Sequence, residues 1–133
     1  MPDETDLGRL LANLDPREFG YAILPHDAPL PPGFHPFGLF HEDEGLTVIA
    51  TAADLAASGI PALTGLARLT MMVQSSLEAV GMTAAMATAL TRVGISANVV
   101  AAYYHDHIFV PWDRRDEAVA VLRGLAQGGG TVS

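Results

Sequence analysis

The order of apolar runs and chain breakers predicts an α+β fold, and three observations carry that prediction. The second half alternates strand-like and helix-like patterns. "LARLTMMV" comes first, then Met82, Met86, Leu90 and Val93 on one helical face, then "ISANVVAAYY" and "HIFVPW", then a second helical stripe of Ala118, Leu122 and Leu125. The first half reads as three short strands and a short helix around a proline-rich loop. Half of the 133 residues are hydrophobic and 17% are charged, which supports a packed core rather than disorder. Strands interleaved with two helices suggest an antiparallel sheet with both helices on one face, the ferredoxin-like arrangement.

Each element has a local reason. "TDLGRLLANLDP" places Leu7, Leu10, Leu11 and Leu14 at helical spacing, with Thr5 or Asp6 as cap and Pro16 as stop. "EFGYAIL" is aromatic and β-branched and predicts a strand. "PHDAPLPPGFHP" is a loop, because proline lacks the N–H that a central strand needs. "FGLF" and "LTVIAT" are short strands joined by the charged turn "HEDEG". "AADLAASG" is a short helix closed by Gly59. "IPALTG" is the best boundary, dividing the chain into residues 1–60 and 61–133. Asp113 is expected to cap the last helix, with Asp116 and Glu117 in its first turn, where negative charge suits the helix dipole. The closing "GGGTVS" adds a short strand or frays.

Composition narrows the function classes. A net charge of −8 argues against nucleic acid, whose affinity comes from Lys and Arg neutralising phosphates. With no cysteine, disulfides and thiolate metal sites are excluded. An acidic start and the lack of a long apolar run point to a cytoplasmic protein with no membrane association.

"YYHDHIFVPWD" at 103–113 holds the most chemistry-rich cluster. His105 and His107 would share a strand face, a spacing that can ligate a metal, but no third ligand is near and Asp106 points away. A tight turn between two strands explains the same residues and is the favoured reading. Ser75 and Ser76 lack a nucleophile-elbow pattern, so no catalytic residue is assigned.

The segment "QSSLEAVGMTAAMATALTRVGISANVV" carries the candidate ligand site. Free N–H groups at a helix start attract carboxylates, and Gly81 would let a ligand reach the backbone. Ser75, Ser76 and Asn98 supply donors and acceptors. A helix cap and a strand asparagine bonded to a neighbouring loop account for the same residues.

Three motifs in order, "FHEDEGLTVI" at 40–49, "SSLEAVGM" at 75–82 and "NVVAAYYHDHIFVPWD" at 98–113, together with the glycine pair Gly81 and Gly94, resemble the ACT domain family. The likeness runs over nearly the whole chain. It is nearest to bacterial tandem-ACT proteins related to aspartate kinase regulatory domains and the CASTOR arginine sensors. The resemblance implies two βαββαβ ACT folds in tandem and a small-molecule ligand, an amino acid. Ser75, Ser76, Leu77, Val80, Gly81, Met82 and Asn98 would line its site. Glu42, Asp43 and Glu44 would face its ammonium group or else form a solvated hairpin tip. Two features depart from the family pattern: Ser75, Ser76 and Val80 occupy the neighbourhood where an acidic residue and a proline are usual, and Ser96 stands for an asparagine. The expected protein is a regulator or sensor without catalytic activity, cofactor or metal, and a homodimer. The alternative is an interaction module docking on a partner enzyme.

Overall fold

The structure is a computed structural model and describes residues 13–71 and 76–127. Its elements are β1 (Asn13–Leu24), β2 (Gly38–Glu42), β3 (Gly45–Thr51), α1 (Ala52–Ala57), β4 (Leu63–Met71), α2 (Ser76–Arg92), β5 (Asn98–Ala101), β6 (Asp106–Pro111) and α3 (Arg115–Gln127). Residues Pro16–Leu66 form one compact unit. The described residues from 67 onward form the other, together with 13–15.

In the first unit the strand order is β2–β3–β1, antiparallel throughout. The β2–β3 hairpin turns at Asp43 and Glu44, as the charged turn predicted. Cross-strand pairs share a face, so Ala22, Leu46, Val48 and Ala50 line one side of the sheet. There they meet Leu55 of α1 and Phe34 of the proline-rich loop in a buried cluster. Thr51 caps α1 by accepting the Asp54 N–H at 3.2 Å. Gly20 belongs to this face. A Cβ there would stand 2.8 Å from the Leu63 carbonyl oxygen and 2.9 Å from Thr64 Cγ2. Gly20→Ala should therefore destabilise by about 1–3 kcal/mol, measured by urea unfolding, because backbone cannot swing aside as a side chain can.

The second unit orders its strands β4–β6–β5. The last strand lies between the first two, which is the split β-α-β arrangement of the ferredoxin-like fold. Ala67, Leu69 and Met71 of β4 and Ile108 and Val110 of β6 pack with Met86 and Leu90 of α2 and Ala118, Val119 and Leu122 of α3. One cluster takes residues from both helices, so both cover the same sheet face.

Both longer connections after a helix use one device. Gly59 and Gly94 have φ of 67° and 75°, a region only glycine enters without cost. The Gly59 and Ile60 amides donate to Ala56 and Leu55 carbonyls at 3.1 and 3.0 Å. The Gly94 and Ile95 amides donate to Thr91 and Leu90 at 3.0 and 2.9 Å. This is the Schellman closure, with isoleucine as its apolar partner in each case.

Four details differ from the sequence expectation. Of the proposed first helix, Leu7, Leu10 and Leu11 lie outside the described residues, whereas Asn13, Leu14 and Asp15 open β1. Leu14 packs on the second unit's core, and Asp15 pairs with Arg68 at 2.7 Å, so tertiary contacts override the local spacing. Pro16 sits inside β1 but precedes the Phe19–Leu24 stretch paired with β3, so its missing N–H costs that ladder nothing. Val93 lies past the end of α2 and is 40% exposed; Ile95, beyond the glycine turn, takes the buried position. Asp113 lies in a 3-10 turn, Trp112–Arg114, that leads into α3. The "GGGTVS" tail lies outside the described residues.

Candidate functional site

The predicted ligand segment falls at the start of α2. This helix begins at Ser76, so Gly81 occupies its second turn and not the loop before it. The free amides are therefore those of the first turn, residues 76–79. Gly81 is exposed, and beyond its own helical backbone no atom lies within 4 Å of the position a Cβ would take. Ser75 lies outside the described residues, as do the side chains of Ser76, Leu77, Val80 and Met82. One turn on, Thr83 donates to Asp106 Oδ2 at 3.3 Å, tying α2 to β6.

Asn98 opens β5 and is exposed. It stands opposite Phe109 in the β5–β6 ladder, whereas Val99 stands opposite Ile108. Ile108 belongs to the helix-covered face, so Asn98 is on the other face, with His107. Glu42, Asp43 and Glu44 form the exposed tip of the β2–β3 hairpin in the first unit. Thr47 donates its hydroxyl to Glu42 Oε1, and the His26 ring hydrogen-bonds the Asp43 carbonyl.

A turn does join the two strands, but it lies before the expected one, and Asp106 and His107 belong to the strand that follows. Residues 102–105 make the reversal, closed by the Ala102 amide on the His105 carbonyl at 3.0 Å, and β6 begins at Asp106. Tyr103 and Tyr104 project at its tip, 92% and 74% exposed. Among the described residues no three His, Asp or Glu side chains come together as a metal site. His107 is buried and hydrogen-bonded through Nδ1 to Thr70 Oγ1 at 2.9 Å. Burial holds its pKa below the ordinary histidine value, helped by the Arg68 charge and by the neighbouring His105 ring and opposed by Asp106. A depressed folded-state pKa means the unfolded chain takes up its proton first. The neutral ring's contribution is thus complete above the unfolded value of about 6.5 and is lost as pH falls below it toward the folded pKa. Thermal melts should show stability declining from about pH 6.5 downward. His107→Gln should flatten that decline and leave the pH 8 value comparatively little changed.

Sequence reasoning also missed Arg114. Its guanidinium donates to the Val93 and Gly94 carbonyls, both at 2.9 Å, and to Glu117 Oε1 at 2.7 Å. It therefore satisfies the carbonyls left open at the end of α2 and links them to α3. A basic residue twenty positions beyond the glycine turn it serves leaves no local signal.

Comparison with known proteins places this geometry. The ACT domain family matches residues 2–67 and again residues 67–124. No match was found among the curated proteins. Among solved structures, a Vibrio cholerae protein of unknown function, named as a possible transport protein, is 35% identical with a TM-score of 0.78, over 91% of this chain and 93% of that one. An Agrobacterium tumefaciens protein is similar at 16% identity and TM-score 0.69, over 83% and 84% of the two chains. The ligand-free regulatory subunit of aspartate kinase from Thermus thermophilus shares the fold at 11% identity and TM-score 0.59, over 85% and 94%. With two consecutive matches, a shared α+β ferredoxin-like architecture and a relative alike over almost its whole length, this chain belongs to the ACT domain family and carries two ACT domains in tandem.

Proposed function

We propose that the protein is a regulatory or sensor protein that binds a small amino acid and performs no chemistry of its own. The observation that carries this reading is the ACT pair itself, which the regulatory subunit of aspartate kinase shares in fold. In the proposed site, amides at the start of α2 receive the ligand carboxylate, and Ser75 and Ser76 are assigned to it from the ACT resemblance. Leu77, Val80, Gly81 and Met82 are assigned to the same site from the ACT resemblance. Asn98 offers the ligand an amide. In the first domain, and taken by themselves, Glu42, Asp43 and Glu44 are natural partners for an ammonium group. Residues 1–60 and 61–133 are the two domains of this reading. β2 and β5 stand at the ends of the strand orders and leave edges that a second copy can pair, so we expect a homodimer.

Calorimetric titration with the twenty amino acids tests the proposal. At least one should bind saturably, and at a hundred times its dissociation constant it should add about 2.7 kcal/mol of stability. A panel giving neither heat nor any melting shift would refute it. In the second reading the chain docks on a partner enzyme without a ligand; the apolar surface left bare on the first domain favours it.

A further inference from the structure

The first domain has a bare side. On the sheet face away from α1, the register brings together Tyr21, Ile23, Phe40, Thr47 and Ile49. Near Phe19 this face is closed: Phe37 packs edge-on at 6.0 Å and Arg17 stands 5.5 Å from the Phe19 ring. Ile49 is buried as well, whereas toward the other end large apolar side chains are left exposed. Ile23 is 61% exposed, Leu63 81% and Phe40 42%. Between them runs a groove of about 460 Å³ lined by Tyr21, Ile23, Thr47, Pro61, Leu63 and neighbouring alanines.

None of these lining residues is charged, and a charge-poor apolar centre containing tyrosine is the composition of an interface core. The rim differs. Glu42 reaches Thr47, which lines the groove, and accepts its hydroxyl proton. Among the described residues no cation pairs with the Glu42 carboxylate, and the chain as a whole carries −8. With 15 acidic against 7 basic residues, a second copy complements this rim less well than a basic partner does, and the homodimer expected above pairs through strand edges rather than through this face. The walls are open and project into solvent, which suits a side chain presented by a macromolecule rather than an enclosed small molecule.

We propose that this groove is the docking site for a segment of a partner protein that presents one large apolar side chain beside one Lys or Arg. The apolar group seats between Ile23 and Leu63, and the cation pairs with Glu42 at the rim. This proposal uses Glu42, which the amino-acid reading also assigns, and its test reads peptide binding without added amino acid, so the two can fail separately.

The probe is a fluorescently labelled peptide panel. Each peptide carries a single Leu or Phe and a single Lys or Arg, two to four residues apart in a Gly/Ser frame, and is titrated with the full chain. At least one should saturate. Glu42→Gln should weaken it by about two- to fivefold, as for a rim ion pair, and raised salt should act likewise. Leu63→Glu should weaken it by about tenfold or more, as for an anchor at an interface core. Leu63 is exposed, so this variant should keep the far-UV circular dichroism of the parent. Peptides with Glu in place of the basic residue should not bind. The proposal is overturned if no peptide saturates, or if binding ignores both substitutions. It is equally overturned if sedimentation shows a dimer that Leu63→Glu dissociates, since the groove then belongs to a second copy.

Discussion

Truncating Leu90 to alanine should lower the unfolding free energy by about 2–5 kcal/mol. Leu90 is fully buried and packs where α2 meets β4, β6 and α3. Removing its side chain forfeits the transfer of the lost atoms out of water and leaves a cavity that two helices and a sheet cannot all move to fill. The carbonyl of the same residue accepts the Ile95 amide, so backbone shifts that would close the cavity strain the turn at Gly94. Domains of this size hold roughly 5–15 kcal/mol in all, so the loss should be plain in a urea melt as a lower midpoint at unchanged slope. A change under about 1 kcal/mol would mean the core is not packed as described.

Gly81→Ala should move stability and ligand response in opposite directions. In an exposed helical position the exchange adds about 0.5–1 kcal/mol, because alanine loses less backbone entropy on folding. Beyond the helix's own backbone nothing stands within 4 Å of the new methyl group, so no clash subtracts from that gain. If an amino acid approaches the backbone there, the same methyl occupies its path. Affinity should then fall by about tenfold or more, equivalent to about 1.4 kcal/mol. Calorimetry paired with thermal melts reads both quantities. A variant that is more stable and binds as well as the parent would remove Gly81 from the site.

What could be read in advance follows the range of the forces involved. The β2–β3 hairpin, α1, a turn between the last two strands and the stripe of α3 were legible, because alternation, helical spacing and turn chemistry act over a few residues. The α2 stripe was legible at Met86 and Leu90 but not at its end, where Val93 falls outside the helix. The opening of β1 was not. Its residues are held by Arg68 and by the core of another part of the chain, and nothing near Asn13 announces either. Gly81 was misplaced by one turn for a similar reason: glycine is a breaker on average, and the helix that runs through it is held by Met86 and Leu90 downstream. Of the candidate site, the residue types were legible and the faces were not. Whether Asn98 looks toward the helices depends on its register with Phe109, which a one-residue slip would reverse. The shared glycine–isoleucine closures at 59–60 and 94–95 were visible as letters, yet two residues recurring so far apart carry meaning only once both are seen to end a helix.

Trp112 is the chain's single tryptophan, and the Arg115 guanidinium lies 3.8 Å from its ring centre at the entrance to α3. Its emission is therefore a natural optical reporter placed in the second domain alone. Followed by fluorescence, denaturation traces that domain; followed by scanning calorimetry, it traces both. Superimposable curves would mark a single cooperative transition, and separated midpoints would give the stability of each domain without any label being introduced.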